Sequence, residues 1–450
     1  MNKLYSWLFA LAASGLLIFT SGCGGQRLVW SPDGTRGAVL GDKGLYLCDG
    51  EGNTSSLLVS NVVMVGWFPD SGRLAVICDS KFDSWPELEK HLDETNRART
   101  SHYAQLTLQD MKAGGDFKSA VGAYDLDDNE KNAVAVYLKG NEDVKKLAGN
   151  WKDLQQKEAD VYELRVGVVS HSQVSLGSLL FQTLDTPTPM SMRVSPGGAD
   201  ILLSADPEKQ RGGARLFVVP VDGSWAAQVV SDDASAYPDW SKDSRSVAYI
   251  RAVGAMTKDD DLRLGCLTRR QVVDSAGALQ LQTNEDLAGL LFDSNLGVRC
   301  LSDGRILFTA MDLHLPVTAQ DMPGYADIFA FDPQRQATVS RLVPRQAEET
   351  FQHAGFLEVS PDEKKVLIAG DKGAVSVLTL ASGEVAVVQA PGTDDEPSFP
   401  SWRAGEVCFM VTAPTNSLGR KWEVALWKDG KTKLLSTNWP PEITKGFLDK

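Results

Sequence analysis

Short apolar runs that alternate with polar positions recur along the chain, and most of them follow the same kind of turn. Leu74-Ala75-Val76-Ile77-Cys78 and Val247-Ala248-Tyr249-Ile250 have the β-branched, period-two character of buried strands. The turn ahead of them is fullest in Val29-Trp30-Ser31-Pro32-Asp33-Gly34. Degraded copies are Gly66-Trp67-Phe68-Pro69-Asp70-Ser71-Gly72, Val194-Ser195-Pro196-Gly197-Gly198, Pro238-Asp239-Trp240-Ser241-Lys242-Asp243-Ser244, Cys300-Leu301-Ser302-Asp303-Gly304, Val359-Ser360-Pro361-Asp362 and Ser401-Trp402-Arg403-Ala404-Gly405. The motif therefore sets a period, and with the first copy it occurs seven times.

Each period predicts four strands. In the first they are Gln26 to Trp30, Arg36 to Leu40, Gly44 to Cys48 and Ser56 to Ser60. In the Ser-Pro-Asp-Gly turn, proline presets φ, aspartate bonds its own backbone two residues on, and glycine accepts positive φ. A third strand ending in an Asp-Gly-like turn returns in Leu45-Tyr46-Leu47-Cys48-Asp49-Gly50, Leu216-Phe217-Val218-Val219, Ile328-Phe329-Ala330-Phe331-Asp332-Pro333 and Ala425-Leu426-Trp427-Lys428-Asp429-Gly430. Four-stranded units of about 40 to 60 residues, repeated in this way, predict an all-β chain folded as a seven-bladed β-propeller. Six blades is the alternative count, with the seventh motif misread. If every blade runs from its first strand to its fourth, the ring closes by contact between the first and last blades.

The combination Trp30-Ser31-Pro32-Asp33-Gly34, apolar strand, then Leu45-Tyr46-Leu47 before Asp49-Gly50 resembles the WD-like repeat of TolB-type propellers. The resemblance runs from Arg27 to Asn438 apart from one insertion. It implies the fold and leaves function open, because such repeats serve scaffolds, receptors and enzymes alike.

The insertion covers residues 81–160, between the second and third strands of the second blade, within a propeller assigned to residues 28–440. Ser84-Trp85-Pro86-Glu87 has the pattern of a capping box, and Trp85, Leu88 and Leu92 fall at helical spacing, predicting a helix to about Lys112. Gly114-Gly115 ends it. A second helix is expected after Asn141, with Val144, Leu147, Trp151 and Leu154 on its apolar stripe, whereas Asn132 to Leu138 suits a strand as well as a helix. In propellers the connection between second and third strands lies on the face where ligands usually meet the channel. The connections Asp206 to Arg215, Ala252 to Asp261, Met311 to Ala326 and Ala413 to Lys421 are also long, so elaboration gathers on one face, as at a binding surface.

The first 22 residues change the cellular address. Lys3 and the apolar run from Leu4 to Phe19 have the form of an export signal. Thr20-Ser21-Gly22-Cys23 resembles a bacterial lipobox, which implies that Cys23 is lipidated and becomes the mature N-terminus; an uncleaved membrane anchor is the alternative. Residues 23–27 are the tether, which holds the body within roughly 15 Å of the membrane, and residues 441–450 are a C-terminal tail. Gly24 after the cysteine favours the outer membrane if the organism is Gram-negative. The expected location is the cell envelope. Cys48, Cys78, Cys266, Cys300 and Cys408 sit in apolar runs and read as buried thiols. The 450-residue chain carries 59 acidic against 45 basic residues, a net charge of −14 that disfavours nucleic acid.

No catalytic set stands out in the sequence. It contains neither Gly-x-Ser-x-Gly nor His-Glu-x-x-His, and its five histidines (His91, His102, His171, His314 and His353) never pair at ligand spacing. His314 and His353 fall in or near the elaborated loops and are retained as binding candidates. Asp125 to Glu130 departs from a calcium loop, since glycine is missing at its sixth position and glutamate at its twelfth. Asp394, Asp395 and Glu396 lead into the innermost strand of the last blade and are candidates at the channel mouth. Trp30, Trp67, Trp240 and Trp402 repeat at the position that packs between blades. Trp85 and Trp151 are expected to staple the insertion and are its binding candidates.

These features predict a non-enzymatic, membrane-anchored binding or scaffold protein with an envelope protein as partner, and no cofactor or metal. The alternative is a channel site for a small molecule or carbohydrate, as binder or enzyme, which requires converging carboxylate, histidine or arginine side chains on the channel wall.

Overall fold

The computed structural model describes residues 27–124, 126–147, 154–171, 173–188, 191–206, 214–234, 237–253, 263–275, 278–292, 297–311, 326–335, 337–342, 354–370, 375–392, 397–414 and 420–444. The first unit is β1 (Leu28–Trp30), β2 (Arg36–Gly41), β3 (Gly44–Asp49) and β4 (Val59–Ser60). The second is β5 (Val62–Trp67), β6 (Arg73–Phe82), β7 (Ala159–Ser170) and β8 (Gln173–Thr183). After β9 (Thr186–Pro187), the third is β10 (Arg193–Val194), β11 (Asp200–Asp206), β12 (Ala214–Pro220) and β13 (Gln228–Ala234). The fourth is β14 (Asp239–Trp240), β15 (Ser246–Ala252), β16 (Arg263–Ser275) and β18 (Glu285–Phe292), with β17 (Ala278–Leu281) a hairpin on the far end of β16. The fifth is β19 (Val298–Cys300), β20 (Ile306–Met311), β21 (Ala326–Asp332) and β22 (Thr338–Arg341). The sixth is β23 (Ala354–Val359), β24 (Lys365–Gly370), β25 (Val375–Thr379) and β26 (Val385–Val387), and the seventh β27 (Pro397–Arg403), β28 (Glu406–Pro414), β29 (Arg420–Lys428) and β30 (Lys431–Leu434).

Within each unit neighbouring strands pair antiparallel, and among the described residues only the third and fourth units share a sheet, through Ala234 opposite Arg251. The architecture is mostly β, of the β-propeller type. First strands touch first strands of the next unit, β1 with β5 and β14 with β19 with β23, and β27 returns to β1. Buried side chains from facing sheets form the core between units. Leu28, Trp30, Val39 and Tyr46 of the first unit, for example, pack with Cys408, Met410, Trp422 and Val424 of the seventh.

The repeated turn is a small hydrogen-bond cage. Ser31 Oγ donates to Asp33 Oδ1 at 2.5 Å and accepts from Arg36 N at 3.1 Å, while Asp33 Oδ1 accepts from Thr35 N at 3.0 Å. Ser241 with Asp243 and Ser360 with Asp362 repeat it at 2.6 and 2.7 Å. The Ser241 and Ser360 hydroxyls hold those carboxyls below the usual range. The tryptophans of the motif register adjacent units: Trp67 Nε1 donates to Val29 O, Trp240 Nε1 to Arg193 O and Trp402 Nε1 to Glu358 O, at 2.8, 3.2 and 3.1 Å.

The insertion departs from the sequence expectation in three ways. Strands β6 and β7 stay paired as far as Phe82 opposite Ala159, so its helical part begins after them. Ser84 makes no side-chain cap, and the expected helix to Lys112 is divided: α1 (Trp85–Leu88) runs into a single 3₁₀ turn, Leu92 is extended, and Asp93 caps α2 (Glu94–Lys112) by accepting from Asn96 N at 2.7 Å. After α3 (Phe117–Gly122), the ambiguous segment is helical, α4 (Asp128–Lys139), started by a capping box between Asp127 and Glu130. Helix α5 (Glu142–Leu147) follows.

The assigned tail also differs. Residues Pro441–Thr444 form α6, with Ile443 buried in the cluster between first and seventh units. Trp439 meets Trp422 edge-on at 5.9 Å and donates to Gly52 O at 2.8 Å. Cys48, Cys266, Cys300 and Cys408 are buried and Cys78 half-buried. Burial pushes the Cys408 thiol up to about 12 and that of Cys300 well above its ordinary range, so both stay protonated.

Candidate functional site

One repeat position on the inner strands carries charge in four consecutive units. The residue just before the position that Trp30 holds in the first motif copy is Val29, Gly66, Arg193, Asp239, Arg299, Glu358 and Ser401 from first to seventh unit. Each pairs with an apolar residue of the second strand, such as Val29 with Ala38, Arg193 with Leu202, Asp239 with Ala248, Arg299 with Leu307 and Glu358 with Leu367. Around the third to sixth units the signs alternate, plus, minus, plus, minus.

Arg193, Asp239 and Glu358 each act on Arg299. Arg299 is 4% exposed. Burial, reinforced by the Arg193 cation, pulls its guanidinium down to about 10, while Asp239 and Glu358 oppose the shift. Arg193 and Arg299 belong to the third and fifth units, with the fourth between them in chain order. Arg299 Nη1 donates to Val298 O at 2.7 Å, and Asp239 Oδ2 accepts from Cys300 N at 2.9 Å. Arg193 and Glu358 are half-buried, and among the described residues their charged groups have no ion pair or hydrogen bond; the Arg193 Nε is fully enclosed. Tyr237, at the head of the fourth inner strand, has φ 104°, a left-handed conformation costing about 1–3 kcal/mol for such a side chain. Burial pushes its phenol up, opposed by Arg299 and Arg193.

The insertion is the second feature. Its helices enclose a core of Ala104, Met111, Val121, Leu126, Val134 and Leu138, while Leu88, Leu92, Ala133 and Val136 pack on Ala159, Val161 and Leu184 of the second unit. Asn129 joins it to that unit. Its Nδ2 donates to Asp160 O at 2.6 Å and Leu184 O at 2.7 Å, and its Oδ1 accepts from Asp160 N at 2.8 Å. Beside it, burial pushes Asp127 up to about 8, with Glu130 and Asp185 adding to the rise. Arg99 pairs with Glu130 at 2.6 Å, and Arg215 with Asp185 at 3.0 Å. His91 Nδ1 lies 3.0 Å from the buried Glu163, which also pairs with Arg165 at 3.0 Å.

Of the candidates proposed from sequence, Trp85 is half-buried and packs edge-on against Tyr137 at 4.7 Å, as a staple between α1 and α4. Cys23, Trp151, His314, His353, Asp394, Asp395 and Glu396 lie outside the described residues, as do the tips of the long connections on the elaborated face. Trp85 alone of the candidates proposed from sequence is among the described residues. The structure assembles Arg193, Asp239, Arg299 and Glu358, which sequence reasoning passed over. Aligning the motif copies and reading the position before the one Trp30 holds would have found them, since the first, second and seventh copies have the uncharged Val29, Gly66 and Ser401 there.

No family model matches the chain, and no curated protein does. Among solved structures, TolB from Acinetobacter baumannii is similar at 16% identity and TM-score 0.36, covering 61% of this chain and 59% of its own. An oligogalacturonate lyase in complex with manganese is similar at 13% identity and TM-score 0.40, covering 79% and 76%. A Pyrococcus horikoshii acylaminoacyl peptidase has 14% identity and TM-score 0.38, over 61% and 41%. The matched part of this chain thus spans about three-fifths of the TolB structure's length.

Proposed function

We propose that the chain is a non-enzymatic scaffold of the cell envelope: a seven-bladed propeller, lipid-anchored through Cys23, whose helical insertion docks a partner protein. The observation that carries this reading is the way the insertion is held. It has its own core and a second apolar contact with β7, and Asn129 ties its helix α4 to two backbone segments of the second unit. A helical element fixed in orientation on a rigid sheet is suited to present a surface, because little ordering entropy is lost on binding. The reading also rests on a sequence with no nucleophile elbow or zinc motif.

The test uses the full chain in cells. Phe82 and Ala159 are cross-strand partners, so a short turn between them can replace the insertion without disturbing β6 and β7. Crosslinking and affinity capture from wild type should recover a specific envelope protein that the shortened chain loses. Retention of every specific partner would refute the docking role. Cys23→Ser should release the protein from membranes, and an unchanged membrane fraction would count against the anchor.

A further inference from the structure

The outer rim of the second unit differs from that of the others. A fourth strand is the outer edge of its unit, and such edges are ordinarily kept from further pairing by shortness or by charge. Strands β4 and β26 are two and three residues long. The longer ones carry charge: Asp232 and Asp233 in β13, Glu285 and Asp286 in β18, Arg341 in β22, Lys431 and Lys433 in β30. Strand β8 has neither defence. It runs for 11 residues without a charged side chain, and among the described residues it pairs only with β7.

An irregularity in β8 sorts its side chains. Leu176 lies opposite Gly167 and Leu179 opposite Arg165, so the extra residue between the two leucines turns both to one face of the sheet, beside Val174. Gly167 makes room for that row: a Cβ there would stand 2.7 Å from Val174 Cγ1 and 3.3 Å from Leu176 Cδ2. Leu176 and Leu179 are 37% and 38% exposed, and Val168, opposite Ser175, is 53% exposed. Arg165 Nη1 donates to Gly177 O at 3.3 Å and marks the end of the regular run that starts at Gln173.

We infer that β8 is a dimerisation edge, taken by β8 of a second copy of this chain, antiparallel about a two-fold axis at Ser175. Ser175 then faces Ser175 of the second copy, while Val174 faces Leu176 and Leu176 faces Val174. Apolar meets apolar on one face, hydroxyl meets hydroxyl on the other, and two four-stranded sheets become one of eight strands. A two-fold pairing sets side chains near the axis against their own kind, so any charge there meets a like charge and opposes the pair. The acidic and basic pairs on β13, β18 and β30 have that effect, and β8 has nothing to repel. With a net charge of −14, the chain is drawn to its own copy best at such an uncharged edge.

The test uses the full chain in cells. Ser175→Cys places two thiols at cross-strand partner distance, about 4.5–5.5 Å between Cα atoms, within the reach of a disulfide. Oxidation with copper phenanthroline should link a dimer in at least about fivefold higher yield than in Ser340→Cys, which places its thiol on the exposed outer strand β22; wild type controls for the native thiols. Adding Leu176→Lys sets an ammonium against Val174 of the second copy and should return the yield to that of Ser340→Cys. If the Leu176→Lys chain does not fold, the comparison of Ser175→Cys with Ser340→Cys decides alone. Equal yields in those two, linkage of Ser175→Cys only to a different protein, or an undiminished yield in a folded Leu176→Lys chain overturns the proposal.

Discussion

Arg403 lies over the indole of Trp30, with its Cζ 4.5 Å from the ring centroid, and its Nε donates to Gly34 O at 3.3 Å. These residues belong to the seventh and first units, so the pair joins the two ends of the chain's β structure. Elsewhere a motif tryptophan donates to the preceding inner strand, whereas the buried Trp30 Nε1 has no hydrogen-bond partner among the described residues, and the neighbouring β27 is irregular between Ser398 and Ser401, with Phe399 at φ 46°. Cation–π contact replaces the missing registration. Arg403→Ala is expected to cost about 1–2 kcal/mol, read as a lower urea midpoint, with Arg403→Lys recovering only part because an ammonium cannot stack as a planar guanidinium does. No loss in Arg403→Ala would show that closure rests on the apolar cluster alone.

Gly34 occupies the same junction. Its φ is 71°, and a Cβ there would stand 2.7 Å from the Ala404 Cβ. Gly34→Ala meets both backbone strain and a clash between units, and should lower stability by about 2 kcal/mol or more. Gly430→Ala is the control, since its φ of 79° carries the strain but no atom lies within 4 Å of its added Cβ. Equal melting temperatures for the two variants would remove the clash as a cause.

Asn129→Ala leaves Asp160 N, Asp160 O and Leu184 O without the side chain that satisfies them. Leaving such groups unmet costs about 2 kcal/mol, and the loss should be local. Limited proteolysis is expected to cut residues 84–158 faster than in wild type, while the main thermal transition changes little. A proteolysis pattern identical to wild type would mean that apolar packing alone seats the insertion.

The same junction should respond to pH. Burial first, then Glu130 and Asp185, raise Asp127 to about 8, and burial with Asp160 raises Asp79 to about 6. A carboxyl whose folded value lies above its unfolded value of about 4 favours folding in its protonated form. Its contribution is complete below about pH 4 and is lost as pH rises to the folded values, about 6 for Asp79 and about 8 for Asp127. Amide exchange in α4 should therefore quicken, beyond the intrinsic pH effect, between pH 6 and pH 8. Asp127→Asn, which keeps a good capping side chain, should flatten that change. Equal slopes in wild type and variant would exclude Asp127 as the titrating group.

The local steps of the fold were open to sequence reasoning because they depend on neighbours in the chain. Ser31, Asp33 and Gly34 make their turn with partners a few residues away, and the strands after it alternate by a fixed period. The segment from Asn132 to Leu138 resisted the same method for a physical reason. Helix α4 buries Val134 and Leu138 toward α2 and Ala133 and Val136 toward the second unit, so it lacks the polar stripe that marks a surface helix.

Sequence alone determined the repeated turn, the mostly β character and the place of the insertion between β6 and β7. Tertiary structure decided what the inner strands carry. Arg193, Asp239, Arg299 and Glu358 each look like a single polar interruption of an apolar strand, and the other three act on Arg299 only once four sheets have brought their first strands together. Charges act through distance in space, and residues far apart in the chain reach that distance only after the strands have closed into units and the units have met.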